Sequence, residues 1–169
     1  GQHGIPNPLD VERLLTKKTK AIVLISPNNP TGAIYPPDII TSFYELARDK
    51  KIALIIDETY KDFLGSIQPH YLFQKKQWEE TFIQIYSFSK VFSLTGYRVG
   101  SIIAGEKTIQ SITKIMDTLA ICAPRISQDA ALFGLANLSN WVSKKQKIIK
   151  ERCDFVQGLF QSKDINFEV

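Results

Sequence analysis

Lys90 closes the run Ser87-Phe88-Ser89-Lys90 at the end of an apolar stretch, among small hydroxyl residues rather than solvating charges. A lysine desolvated there, close to other positive charge, has a lowered pKa and becomes a usable nucleophile; otherwise it is a surface lysine in a loop. Asp57 ends the apolar run 52–56, which puts a carboxylate at the rim of a core. Such a charge is costly unless paired. A cationic heterocycle, such as a protonated pyridine nitrogen, supplies a pair; a turn or N-cap aspartate is the alternative. Tyr60, three residues on, can bring its phenol to the same ligand. Arg98 lies eight residues after Lys90, and with Ser87 and Ser89 it has the makings of a phosphate grip, because a guanidinium donates two parallel hydrogen bonds. A surface ion pair is the other use for it. Gly96 and Gly100 flank Arg98 and suit a tight loop against a ligand. Asn29, between Asn28 and Pro30, sits before a cis-proline candidate that would aim its amide inward; it is otherwise a plain turn residue.

These residues need elements to position them. Periodicity predicts a helix from Asp10, its N-cap, to about Lys17, then a strand at 21–26 and a turn-rich segment at 27–32. A helix starting near Asp38 buries Ile39, Phe43 and Leu46 or Ala47. Strands follow at 52–57, 82–87 and 99–104, the last after a loop at 91–98. From Glu106 the pattern is helical, with an apolar stripe of Ile109, Ile112, Ile115 and Leu119, a further helix after Pro124, and a basic helix from near Asn140. Strands alternating with helices predict an α/β fold, a three-layer α/β/α arrangement around a mainly parallel sheet covered on both faces. In such sheets ligands bind beyond the carboxyl ends of the strands, and Asn29, Asp57 and Ser87 to Lys90 all fall there.

Composition narrows the function classes. The 169 residues are 44% hydrophobic and 22% charged, as in an ordinary globular domain, and no apolar run is long enough to span a bilayer. No export signal is visible at the start, so a cytoplasmic protein with reduced, partly buried thiols at Cys122 and Cys153 is expected. His3 and His70 have no ligand spacing, and no metal site is expected. The net charge of +4 is modest. The basic run 144–152 shares a helix with Val142, Ile149, Cys153, Val156 and Phe160, so it reads as a solvated face and no nucleic-acid or membrane partner is expected. The abrupt start at Gly1 and stop at Val169 suggest a piece incomplete at both ends.

With these residues in view, the chain resembles the class I/II aminotransferases, fold-type I enzymes that use pyridoxal 5'-phosphate. The resemblance rests on SPNNPTG (26–32), DETY (57–60), SFSK (87–90) and GYRVG (96–100), in that order, over roughly Lys20 to Ala136. It implies that Lys90 carries the cofactor as a Schiff base and shuttles the substrate proton, and that Asp57 partners the pyridine nitrogen. It implies that Asn29 and Tyr60 bond the ring's phenolic oxygen, and that Ser87, Arg98 and Ser89 bind the phosphate. The reaction implied is amino-group transfer from an amino acid to a 2-oxo acid in a homodimeric enzyme. A lyase or decarboxylase of the same fold, or a cofactor-binding effector domain of a transcription regulator, is the alternative. Residues 1–139 are expected to be part of the cofactor-binding large domain, and 140–169 a helix leading toward a smaller C-terminal domain. The resemblance places further phosphate, ring-stacking and substrate-carboxylate residues outside this chain, so weak cofactor binding and poor turnover are expected of the chain alone. Arg125 is assigned to a helix surface, and the substrate is not legible.

Overall fold

The computed structural model describes residues 4–162. One sheet orders its strands as β1 (Ala21–Ile25), β2 (Ala53–Asp57), β3 (Phe82–Ser87) and β4 (Gly100–Ile103). The first three run parallel, and β4 returns antiparallel to β3. The fold is thus α/β with a mainly parallel sheet, as expected.

Helix α1 spans Pro8–Leu14 and α2 spans Pro37–Asp49. The expected cap at Asp10 is corrected: Asn7 caps α1, its Oδ1 accepting from Leu9 N at 2.9 Å. Pro8 favours the first helical position, which leaves Asp10 in the first turn beside the positive end of the dipole. In α2 the buried stripe is Ile40, Phe43, Tyr44 and Ala47. It is centred one residue beyond the expected one, so Ile39 and Leu46 are only partly covered. This stripe packs on Ile22 and Leu24 of β1, Leu54 and Ile56 of β2, and Phe82 of β3. Each such side chain contributes about 1.5–3 kcal/mol by leaving water. Between β2 and β3 the chain makes short 3-10 turns at Lys61–Leu64, Leu72–Gln74 and Trp78–Glu80.

α2 and the turns at Leu72–Gln74 and Trp78–Glu80 cover one face of the sheet. On the opposite face, where the three-layer reading puts further helices, Val23, Ile85 and Ile102 are 62%, 38% and 42% exposed among the described residues. A second, smaller core gathers Tyr86, Phe88, Val91, Val99 and Ala131, the last from α5 (Arg125–Asn137). Val142 of α6 (Ser139–Ser162) packs against it. Helix α3 (Phe88–Val91) and helix α4 (Glu106–Leu119) complete the set. No residue of α4 is buried: Ile109 and Ile112 are half-covered, while Ile115 and Leu119 lie exposed. The expected partly buried cysteines are also corrected, since Cys122 and Cys153 are free and exposed. Among the described residues no helix is long and apolar enough to cross a membrane.

Tyr86 ties the second core to the turn after β2 by donating a short hydrogen bond to Asp62 Oδ2. Burial, then that bond and the Asp62 charge, raise its pKa far above the phenol value of 10.0. A phenol with a raised folded pKa keeps a proton that the unfolded chain releases, so its stabilisation holds below pH 10 and is lost as pH climbs above it. We expect the thermal midpoint to fall more steeply above about pH 10 than it does in Tyr86→Phe. Parallel curves from the two proteins would refute the assignment.

Candidate functional site

The site grows from the carboxyl ends of β1, β2 and β3. Asp57 is paired with Ile25 on one side and Ile85 on the other. Its carbonyl accepts from Ser26 N at 3.1 Å, and the next amide, Glu58 N, donates to Ile85 O at 2.9 Å. Strand alternation then divides the side chains. Ile25, Asp57 and Ser87 share the face away from α2, whereas Glu58 turns into the core and is 1% exposed. There Gln84 Nε2 donates a short bond to Glu58 Oε2. His70 Nε2 approaches Glu58 Oε1 to 3.0 Å, an electrostatic contact rather than a well-aligned hydrogen bond. His70 Nδ1 accepts from Leu72 N at 3.2 Å, which assigns the ring proton to Nε2, facing the carboxylate.

On the open side lies a cavity of about 420 Å³, and its lining includes all seven residues singled out from the sequence. Asn29 enters from the loop after β1, whose Asn29–Pro30 bond is cis as expected; the Ser26–Pro27 bond is cis too. Asp57 and Tyr60 enter from the end of β2 and the turn beyond it. Asp57 Oδ1 accepts from Thr59 N at 2.9 Å and Thr59 Oγ1 at 2.6 Å, and no hydrogen bond reaches Oδ2 among the described residues. This local turn fixes the carboxylate, while one oxygen stays open to a ligand. Ser87 ends β3 and caps α3, accepting from Ser89 N at 3.3 Å. Arg98 has φ 52°, in the left-handed region, and its Nη1 donates to Thr95 O at 3.0 Å. The site therefore sets one amine, one carboxylate, a guanidinium, an amide, a phenol and two serine hydroxyls around one space.

Two expectations change. Lys90 is not a desolvated residue on a strand end: it stands on α3 and is exposed, because Phe88, Ser89 and Val91 take the inward positions of that short helix. Gly100 does not serve loop flexibility. It pairs with Ser87 in the sheet, where a Cβ would lie 2.7 Å from the Tyr86 carbonyl oxygen.

Thr59, Thr95 and Ile25 also line the cavity and had not been picked out. Thr59, two residues after Asp57, carries a readable Asx-turn signal; the other two carry none. Lys145 was missed as well. Its Nζ donates to Lys90 O at 3.1 Å and to Ser93 Oγ at 2.7 Å, and lies 4.5 Å from the Trp141 ring centre. Desolvation lowers its pKa from the ordinary 10.5. A bond across 55 residues leaves no trace in local sequence.

A family model described as "Aminotransferase class I and II" matches residues 7–169. An aspartate aminotransferase from Sulfurisphaera tokodaii is 32% identical over 150 residues, covering 89% of this chain and 37% of its own length. Another, from Thermotoga maritima, is 31% identical over 162 residues, covering 96% of this chain and 42% of its own length. A tetra mutant of Thermus thermophilus aspartate aminotransferase aligns with a TM-score of 0.86 and 27% identity over 95% of this chain and 44% of that one. The chain thus spans about two fifths of the length of these relatives.

Lys145 ties α6 to the end of α3 at Lys90 and to Ser93 just beyond it, so Lys145→Met should release that segment. Amides of residues 91–95 are expected to exchange hydrogen faster, with a stability loss of about 1 kcal/mol. Unchanged exchange there would show that the contact holds nothing in place.

Proposed function

The chain belongs to the class I and II aminotransferase family, and from that premise we propose that it binds pyridoxal 5'-phosphate on Lys90 for amino-group transfer from an amino acid to a 2-oxo acid. The observation that carries this reading is the convergence of Asn29, Asp57, Tyr60, Ser87, Ser89, Lys90 and Arg98 on one cavity. The donor set fits the cofactor group by group: an amine for its aldehyde, a carboxylate for its ring nitrogen, an amide and a phenol for its ring oxygen, and a guanidinium with hydroxyls for its phosphate. When bound, the cofactor supplies a carbonyl that condenses with amines and a ring that takes up electrons released at the substrate α-carbon.

The chain's own residues would do the rest. Asp57, steadied by Thr59, holds a proton on the ring nitrogen through its open oxygen. Arg98, Ser87 and Ser89 anchor the phosphate and so fix the cofactor's position. Asn29 and Tyr60 donate to the ring oxygen. Lys90 Nζ would hold the cofactor covalently and, as a free amine, would take and return the substrate α-proton. An exposed lysine on a short helix has room for both positions.

The relatives' names favour transamination over the lyase and regulator alternatives. The same reading keeps 1–139 as cofactor domain and 140–169 as the way into another, with the start of α6 at Ser139 as support. It also carries a homodimer, for which the exposed apolar side chains Leu119, Ile126 and Phe133 are the support on this chain.

The test is chemical. After incubation with pyridoxal 5'-phosphate and borohydride reduction, mass mapping should find the pyridoxyl adduct on the peptide containing Lys90. It should be absent in Lys90→Ala and much reduced in Arg98→Ala. Labelling spread over surface lysines, undiminished in either variant, would overturn the proposal.

A further inference from the structure

We propose that Glu58, whose side chain faces away from the cavity, is the positioning residue that aims both Asp57 and Tyr60 at the cofactor. This rests on the function proposed above. A carboxylate left 1% exposed in an apolar core is unfavourable unless specific partners hold it, and the mechanism gives this one no chemical task. Its place in the chain supplies another: Asp57 comes immediately before it and Tyr60 two residues after.

The side chain is clamped from two elements. Gln84 of β3 donates to Oε2, and His70 Nε2 stands 3.0 Å from Oε1. Both partners are fixed in turn. Gln84 pairs with Ile56 in the sheet. His70 Nδ1 accepts from Leu72 N at 3.2 Å, its carbonyl accepts from Gln68 Nε2 at 2.8 Å, and its ring meets Phe82 edge-on at 5.1 Å. Glu58, His70 and Gln84 are each no more than 2% exposed, so residues of this chain complete the cluster by themselves.

The main chain passes that hold on to the site. Glu58 N donates to Ile85 O, and Asp57 O accepts from Ser26 N, so the link between the two acidic residues is bound on both sides. Beyond it, Glu58 O accepts from Lys61 N at 3.0 Å and closes the turn that contains Tyr60. Lys61 Nζ also lies 3.9 Å from Glu58 Oε2. One buried residue thus steadies the carboxylate assigned to the ring nitrogen and the phenol assigned to the ring oxygen.

Glu58 serves this role through two hydrogen-bonding points rather than through its charge. A glutamine there can turn its carbonyl oxygen to the His70 Nε2 proton and its amide nitrogen to a reversed Gln84 carboxamide, since each amide carries donor and acceptor. A leucine offers neither and leaves two buried polar groups unpaired.

Hydrogen exchange of the 169-residue chain is compared with that of Glu58→Leu, Glu58→Gln and Leu54→Ala. The last removes a buried side chain from the same face of β2 and controls for general loss of stability. The amides of Thr59 and Lys61 are referred to that of Ala53, which donates to Lys20 O at the other end of β2. Their relative exchange is expected to rise at least about tenfold in Glu58→Leu and to stay within about threefold in Glu58→Gln and Leu54→Ala. Should Glu58→Leu not fold, Gln84→Leu takes its place with the same expectation. A second readout follows the reduced pyridoxyl adduct, isotopically labelled at the ring nitrogen. With Asp57 displaced in Glu58→Leu, that nitrogen should lose its proton at lower pH than in the unaltered chain, and Glu58→Gln should restore it.

Equal rises in Glu58→Leu and Leu54→Ala, a Glu58→Gln that behaves like Glu58→Leu, or a ring titration indifferent to Glu58→Leu overturns the inference. The two readings fail separately. Without a Lys90 adduct in the unaltered chain the cofactor reading falls, and exchange at Thr59 and Lys61 still decides whether Glu58 positions its neighbours. An adduct with unchanged exchange sinks the positioning alone.

Discussion

Everything at the candidate site depends on β2 ending in register between β1 and β3. Asp57 and Glu58 are neighbours with opposite tasks, one facing the cavity and one buried. Because strand side chains alternate, a slip of a single residue would exchange them, sending Glu58 into the cavity and Asp57 into the core. The backbone ladder alone is nearly indifferent to such a slip. Glu58 resists it: its carboxylate is fixed by Gln84 on the next strand and by His70 from the turn region. Breaking one partner of a buried charge costs more than the pair contributes when intact, so this cluster acts on register more than on total stability.

The same register fixes the third strand's contribution. Ser87 lies on the cavity face because Gln84 and Tyr86 face the opposite way. β4 closes the arrangement, and it approaches so tightly that only glycine fits at position 100. Chain reversal through residues 91–99 then brings Arg98 back over the strand ends, with its left-handed φ and its bond to Thr95 O. Charge is thus placed by sheet geometry first and by local turns second.

This order explains what could be read without a structure. Strands 21–26, 52–57 and 82–87 were legible because each holds four or five apolar residues in a run of six, and Asn29, Asp57 and Lys90 stood out as polar residues at or just beyond their ends. Boundaries slipped where two residues within one turn compete. Asn7 and Asp10 are both good caps, and Pro8 decided between them. Helix α3 was hidden because four residues are shorter than any periodic signal. Lys145 and the cluster of Glu58, His70 and Gln84 were out of reach for another reason. Their partners are 12 to 55 residues away, and side chains that meet only in three dimensions leave no spacing to count. The stripe on α4 shows the converse, a helix pattern read correctly whose apolar side meets no buried layer among the described residues.

Lys90 lines both the polar cavity of the candidate site and a neighbouring one walled by Ile34, Phe63 and Ile149, and that position bears on how one amine could do two jobs. A lysine buried deep in the polar cavity would be well placed to hold a cofactor but poorly placed to leave it. One standing in open solvent would move freely but find no fixed partner. Here the backbone is held, with its carbonyl bound by Lys145 and the residue before it buried, while the side chain is exposed. A long flexible stem on a fixed anchor lets the amine swing between two neighbouring spaces without moving the sheet. The rigidity lies in the main chain and the freedom in the four methylenes, which is the division of labour that the proposed covalent anchor and proton carrier would require.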